Sequence, residues 1–226
     1  MLHKLLRFAG VAAFVAAASV AVSPAAFAQA DQQKLVADAE TVMSNFLRDP
    51  EMKWLQQNLR RAKAVLIAPE IAKAGFIIGG SGGRAVLVAR DPKSGKWAGP
   101  AFYTLATASV GFQAGISVSE MITLVMTDKG FNSLLASTFK MGADASIAAG
   151  PVGAGAKSDI VADLIAFSRA KGIYGGINLD GTVVSSNTEW DSAYYGKKVL
   201  PPDILVRKNV SNKGANKLLA LVASGK

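Results

Sequence analysis

The spacing of apolar residues changes at residue 64, and this change restricts the chain to a mixed fold. Upstream, Leu35, Val36, Ala39, Val42, Met43, Phe46 and Leu47 recur at helical spacing and form one stripe along residues 31–48. Asp31 is placed to cap this helix and Asp49-Pro50 to stop it. A second helix is expected over residues 51–63, with Met52, Leu55, Leu59 and Ala62 turned inward. Its outward face carries Lys53, Arg60, Arg61 and Lys63, with Trp54 beside them. Downstream, the apolar residues fall into short runs at 64–68, 76–79, 85–89, 101–107, 111–118, 122–127, 143–149, 173–177 and 182–185. Clusters of Gly, Pro, Ser and Asp cut these runs, as they do between strands. The run 160–168 suits either a strand or a helix. Asp128 is expected to cap a short helix ending at Ser137, and residues 212–223 read as a final amphipathic helix.

Three segments share the form Gly-apolar-x-x-Gly: GFIIG (75–79), GFQAG (111–115) and GIYGG (172–176). Such glycines leave pleat positions without side chains, which permits bulges, tight bends or the close approach of another backbone. Three repeats favour a curved antiparallel sheet or barrel over three ligand loops. The expected architecture is α+β: a β-rich, curved or barrel-like antiparallel core with N-terminal amphipathic helices and a C-terminal helix. The parts are residues 1–28, the helices of 29–63, the β-rich domain of 64–206 and the tail of 207–226, with 29–226 forming one unit.

Residues 1–28 have the pattern of a secretory signal. Lys4 and Arg7 form a short basic region, residues 8–22 are almost unbroken Ala, Val and Phe, and Ala26-Phe27-Ala28 offers a cleavage site. The apolar run is short for a bilayer span. The chain is therefore expected to be exported, to a periplasm or cell envelope. With Lys4 and Arg7 gone, the 25 basic residues fall to 23 against 16 acidic, so the formal charge drops from +9 to +7. A basic exported chain is suited to anionic membrane surfaces and not to nucleic acid; evenly spread lysines serving only solubility are the alternative.

The chain has no cysteine, and its single histidine, His3, lies in the expected signal. The usual Cys/His zinc sites, Ser-His-Asp triads and Cys-His dyads are thereby excluded. GFIIGGSGGRA (75–85) matches G-x-G-x-x-G/A at Gly80, Gly82 and Ala85, but it leads into the β-branched run 85–89 where a dinucleotide loop needs a helix. Gly80-Ser81-Gly82-Gly83 is read instead as a hairpin turn. GPVGAGAKS (150–158) has an alanine where a phosphate loop needs its lysine. Ser137-Thr138-Phe139-Lys140 lacks the companion motifs of Ser-Lys acyl enzymes. The pairs Asp159/Asp163 and Glu189/Asp191 belong to no visible constellation. No catalytic, cofactor or metal residue is assigned.

Several blocks taken together resemble a known family. They are Lys96-Trp97-Ala98-Gly99-Pro100, Gly111-Phe112-Gln113-Ala114-Gly115, Gly142-Ala143-Asp144-Ala145-Ser146, Ser168-Arg169-Ala170-Lys171-Gly172-Ile173-Tyr174-Gly175-Gly176 and Tyr194-Tyr195-Gly196. In order and spacing they look like the SYLF domain over about residues 60–206. The resemblance implies a compact β-rich α+β domain that binds phospholipid and catalyses nothing. Some members bind actin, a partner not expected for an exported chain. The basic amphipathic character of the members' lipid-contacting segment maps onto Lys53, Trp54, Arg60, Arg61 and Lys63 as the candidate lipid-binding residues. A structural or protein-interaction module of the envelope is the other reading.

Overall fold

The computed structural model describes residues 24–75, 78–110, 115–153, 160–170, 173–174 and 179–225. The expected signal segment, GFQAG (111–115) and most of GIYGG (172–176) fall largely outside them. The chain begins with α1 (Pro24–Arg48) and α2 (Lys53–Asn58), the latter between two 3-10 turns, Pro50–Met52 and Leu59–Arg61. Four long strands follow: β1 (Ala64–Gly75), β2 (Ile78–Arg90), β3 (Trp97–Val110) and β4 (Gly115–Val125). Then come α3 (Asp128–Leu135), β5 (Thr138–Lys140), β6 (Ile147–Ala149), β7 (Leu164–Ala170), β8 (Ile173–Tyr174) and β9 (Val183–Ser186). Helices α4 (Thr188–Tyr195), α5 (Pro201–Leu205) and α6 (Asn216–Ser224) close the chain. The strands form one curled sheet in the order β5-β9-β3-β2-β1-β4-β7-β6, with β8 against β7. Among the described strands, only the β6–β7 pairing is parallel. The fold is α+β with a curved antiparallel sheet, as the sequence led us to expect.

The sheet separates two cores. On one face the α1 stripe (Val36, Ala39, Val42, Met43, Phe46) and α6 residues Leu218 and Val222 pack on Val65, Ile67, Val86, Val88, Ile122 and Leu124. On the other, Leu134 of α3 and Ile204 and Leu205 of α5 cover Leu66, Leu87, Tyr103 and Met121. Burial on both faces explains why 64–68 and 85–89 read as continuous apolar runs instead of alternating ones. Each large side chain buried there contributes about 1.5–3 kcal/mol. Arg169 ties the end of α1 to the sheet. Its guanidinium donates to Glu120 Oε2 (2.6 Å), lies 3.8 Å from Asp49 Oδ2 and sits 5.2 Å over the Phe46 ring.

The structure corrects several local expectations. α1 starts at Pro24, so Asp31 lies inside the helix and does not cap it. Proline is suited to a first helical turn, and the alanines after it are strong helix formers. Thr127, not Asp128, caps α3: its hydroxyl accepts from Gly130 N–H at 3.0 Å, and the helix ends at Leu135. From Gly115 onward the run expected at 111–118 shares a single strand, β4, with the run expected at 122–127, and the run 160–168 is strand from Leu164, in β7. The segment expected at 143–149 is strand only over β6. Helices α4 and α5 and strand β5 were not anticipated.

The glycine run is also corrected. Gly80, Ser81, Gly82 and Gly83 are not a turn but lie within β2, paired with Ala74, Lys73, Ala72 and Ile71 of β1. The β1–β2 reversal comes earlier, where Gly75 faces Gly79. The reason for glycine is close approach. A β1 bulge between Ile67 and Glu70 brings Glu70 O to 2.3 Å from where a Gly83 Cβ would stand. At Gly82 the nearest atom would be Leu105 O, at 3.4 Å.

α1 covers only the proximal part of its sheet face. Beyond the row Glu70–Arg84–Thr104, two rows of small apolar residues continue on the same face. One is Val118–Ala72–Gly82–Ala106 and the other Ile116–Ala74–Gly80–Ala108. Ile116 is 80% exposed and Val118 44% exposed.

On α4, Asp191 is fully buried. It accepts from Phe102 N–H through Oδ1 (2.8 Å), while Asn187 N–H donates to Phe102 O, so α4 continues the edge of β3 beyond β9. Among the described residues, Asp191 Oδ2 and Tyr194 OH are buried without a hydrogen-bond partner. Burial raises the Asp191 carboxyl to about 7.

Two outcomes are expected. Gly83→Ala should cost about 2–3 kcal/mol in urea unfolding, and Gly82→Ala less than about 1 kcal/mol. Because folded Asp191 holds its proton above the unfolded value, the stability it supplies should be full below about pH 4 and be lost as pH rises from there to about 7. The decline would reach at most about 4 kcal/mol. Asp191→Asn keeps an acceptor for Phe102 and should flatten that decline in chemical unfolding run between pH 5 and pH 8.

Candidate functional site

The second amphipathic segment forms as expected in its burial pattern. Met52, Leu55, Leu59 and Ala62 are fully buried, and Lys53, Arg60 and Arg61 are exposed. Asp49 Oδ1 accepts from Glu51 N–H (2.9 Å) and opens the first 3-10 turn. The helix proper is shorter than expected, ending at Asn58 before the Leu59–Arg61 turn. Arg60 donates to Ser224 O at the end of α6 (3.3 Å), and Arg61 donates to Asn58 Oδ1 (3.2 Å). Lys63 is half-buried and pairs with Asp128 at 2.8 Å. Trp54 differs from its four basic companions. It is 9% exposed, and its ring lies 5.9 Å from that of Phe167 in the core, so it does not stand at the surface in this conformation.

The sheet brings further cations to the same pole that the linear sequence does not place there. Arg90 N–H donates to Lys63 O (2.8 Å), and Arg90 Nε donates to Ala62 O (3.2 Å). The β2–β3 turn therefore sits beside the end of the helical segment, carrying exposed Lys93 and Lys96. Asp91 Oδ1 folds this turn by accepting from Lys93 and Ser94 N–H, Gly95 takes φ +69°, and Asp91 Oδ2 pairs with Lys208. Lys129 of α3 joins from the other side, 64% exposed and 3.6 Å from Asp163. Two exposed valines flank the pole. Val152 lies in the loop whose Gly153 N–H donates to Glu51 O (3.0 Å), and Val161 is 98% exposed. Arg90, Lys93, Lys96 and Lys129 were missed because only strand pairing reveals their neighbours.

Asp163 holds this pole together. It accepts from Thr127 Oγ1 (2.5 Å) and from Ser146 N–H and Oγ (both 2.9 Å), joining α3, the β6 approach and β7. The Thr127 hydrogen bond, with those from Ser146, lowers its carboxyl to about 2 against the opposing effect of burial. Its suggested companion Asp159 lies outside the described residues. Of the other pair, Glu189 is exposed while Asp191 is buried. Among the described residues, no group of three or more His, Cys, Asp or Glu side chains could hold a metal ion. Nor is any described helix long and apolar enough to cross a membrane.

Residues 106–224, from within β3 to the end of α6, match the family Ysc84, described as Las17-binding protein actin regulator. The chain belongs to this family, the SYLF family of the resemblance above. It is 32% identical over 145 residues to LAS seventeen-binding protein 3 of Saccharomyces cerevisiae, covering 61% of this chain and 31% of that protein. It is 28% identical over 173 residues to Protein YSC84 of the same yeast, covering 74% and 36%. With SH3 domain-containing YSC84-like protein 1 of Homo sapiens it shares 26% over 152 residues, covering 65% and 44%. The chain thus spans less than half the length of these relatives. Of these names, that of LAS seventeen-binding protein 3 describes a binding protein. Lys53, Arg60, Arg61 and Lys63 precede the residues of the Ysc84 match, so that match leaves the basic pole to be argued from its own geometry.

Asp163→Asn would set an amide N–H₂ against donors. It should cost about 2–3 kcal/mol in chemical unfolding. The folded carboxyl is depressed, so the stability it supplies is present above about pH 4 and lost as pH falls toward about 2. Acid titration of the variant should lack that part of the loss.

Proposed function

We propose that this Ysc84-family chain is an exported, non-enzymatic module that binds anionic phospholipid through its basic pole, peripherally at an envelope membrane. One observation carries the reading: Lys53, Arg60 and Arg61 are exposed together on one face of the α2 segment. The fold adds Arg90, Lys93, Lys96 and Lys129 beside them. Each cation held near an anionic leaflet is worth about 1 kcal/mol, and the attraction falls off within a Debye length. Among the described residues, Val152 and Val161 are exposed beside this pole, and Trp54 is not. Export rests on Lys4, Arg7, the apolar residues 8–22 and Ala26-Phe27-Ala28.

The relatives' names favour a second reading, a protein-interaction module of the envelope. The two readings separate in vesicle co-sedimentation. With Lys53→Glu, Arg60→Glu and Arg61→Glu combined, partitioning onto vesicles containing phosphatidylglycerol should fall about 100-fold, the sum of three contacts. Wild-type binding should weaken steeply between low salt and 0.5 M salt. Equal binding to zwitterionic vesicles, or no salt dependence, would refute the lipid reading and leave a protein partner to be sought by pull-down.

A further inference from the structure

In an exported chain, cleavage after Ala28 makes Gln29 the first residue. Gln29 is exposed near the start of α1, and the contacts that hold this end of the helix come after it. Gln32 is 2% exposed, Gln33 Nε2 donates to Gly214 O (3.2 Å), and the buried stripe continues from Val36. Those anchors remain when the residues before 29 are gone, so the new end is helical and stands in solvent. Inside a helix, a side chain is kept from folding back toward its own nitrogen, because the preceding turn occupies that space. At a first residue no turn precedes, and the nitrogen is a free amine. Of the three glutamines at this end of α1, only Gln29 combines an exposed side chain with that amine.

We propose that the exported chain is modified at this end, Gln29 closing on itself to form pyroglutamate. The inference rests on the export reading above. The α-amino nitrogen attacks Cδ of its own side-chain amide, a lactam ring forms, and the Cδ–Nε2 bond breaks. Ammonia leaves with the proton that the amine gives up, so the step needs no oxidant, reductant or co-reactant. The helix favours both sides of this step. Its positive end disfavours an ammonium and leaves more of the amine in the neutral, attacking form. The lactam is uncharged, which removes the opposition between an N-terminal cation and the helix dipole. Asp31 then stands in the first turn as an acid that the dipole favours. The ring also restrains the first residue much as proline does at a helix start. An exposed terminus without an α-amine gives aminopeptidases nothing to grip, a protection suited to a chain outside the cytoplasm.

The test expresses the full chain from Met1 and analyses its envelope fraction directly after lysis, by intact mass and Edman sequencing. The expected species spans residues 29–226, is lighter by one ammonia than that sequence, and is blocked to Edman degradation. Treatment with pyroglutamyl peptidase should unblock it and expose Ala30-Asp31-Gln32. The Gln29→Ala chain should be cleaved at the same bond, show no loss of ammonia and be open to sequencing. An aminopeptidase should trim that variant and leave the wild type whole, with circular dichroism showing both folded. A chain cleaved after Ala28 whose Gln29 is free and readable would overturn the lactam and leave export standing. Cleavage at a different bond would do the same. A chain that keeps Met1 would overturn the export reading and this inference with it.

Discussion

Four strands of 11 to 14 residues are longer than the helical layer laid over them, and much of the molecule follows from that mismatch. At their proximal ends, α1 and α6 on one face and α3 and α5 on the other exclude water, and the strands there are rich in Val, Ile, Leu and Phe. Beyond the row of Glu70, Arg84 and Thr104 the cover on the α1 face ends and the residues become small: Ala72, Ala74, Gly80, Gly82, Ala106 and Ala108. A large apolar side chain there would stand in water. Small ones keep the strand pairing while limiting that exposure.

The same arrangement separates two kinds of surface. The start of β1, the β2–β3 turn and the start of α3 meet at one end of the sheet, and this is where the cations collect. The opposite ends of β1 to β4 have no acidic residue beyond Glu70 and Glu120 among the described residues, and Lys73 is the one charged side chain they carry. An attraction dominated by charge thus belongs to the first end, and one dominated by apolar contact to the second. Arg169 keeps the two in fixed relation, since its contacts with Glu120, Asp49 and the Phe46 ring hold α1 at its crossing of the sheet.

Much of this was legible in the residues, in proportion to how local its cause was. The α1 stripe and the buried face of the second segment obey a helical period, and each named apolar residue from Leu35 to Ala62 is inside except Leu35 itself, which is half-buried. The glycine run was read as a turn, whereas Gly80 to Gly83 lie within β2. Only the β1 bulge, a feature of pairing and not of sequence, places Glu70 O against Gly83. Trp54 could not be assigned from the helix alone, because the Phe167 ring that takes it inward lies on β7. α4 did carry readable signals, the Asn187 cap and Gly196 at φ +69°. Its short length and weak apolar stripe hid them.

The central claim concerns which end of the molecule meets anionic lipid. The chain has no cysteine, so a single fluorophore can be attached at Gln57→Cys beside the exposed cations, or at Ser117→Cys on the far end of β4. On vesicles rich in phosphatidylglycerol, the label at 57 should shift to the blue and be quenched by bilayer-embedded quenchers, while the label at 117 remains as in water. Quenching at 117 with none at 57 would contradict the account.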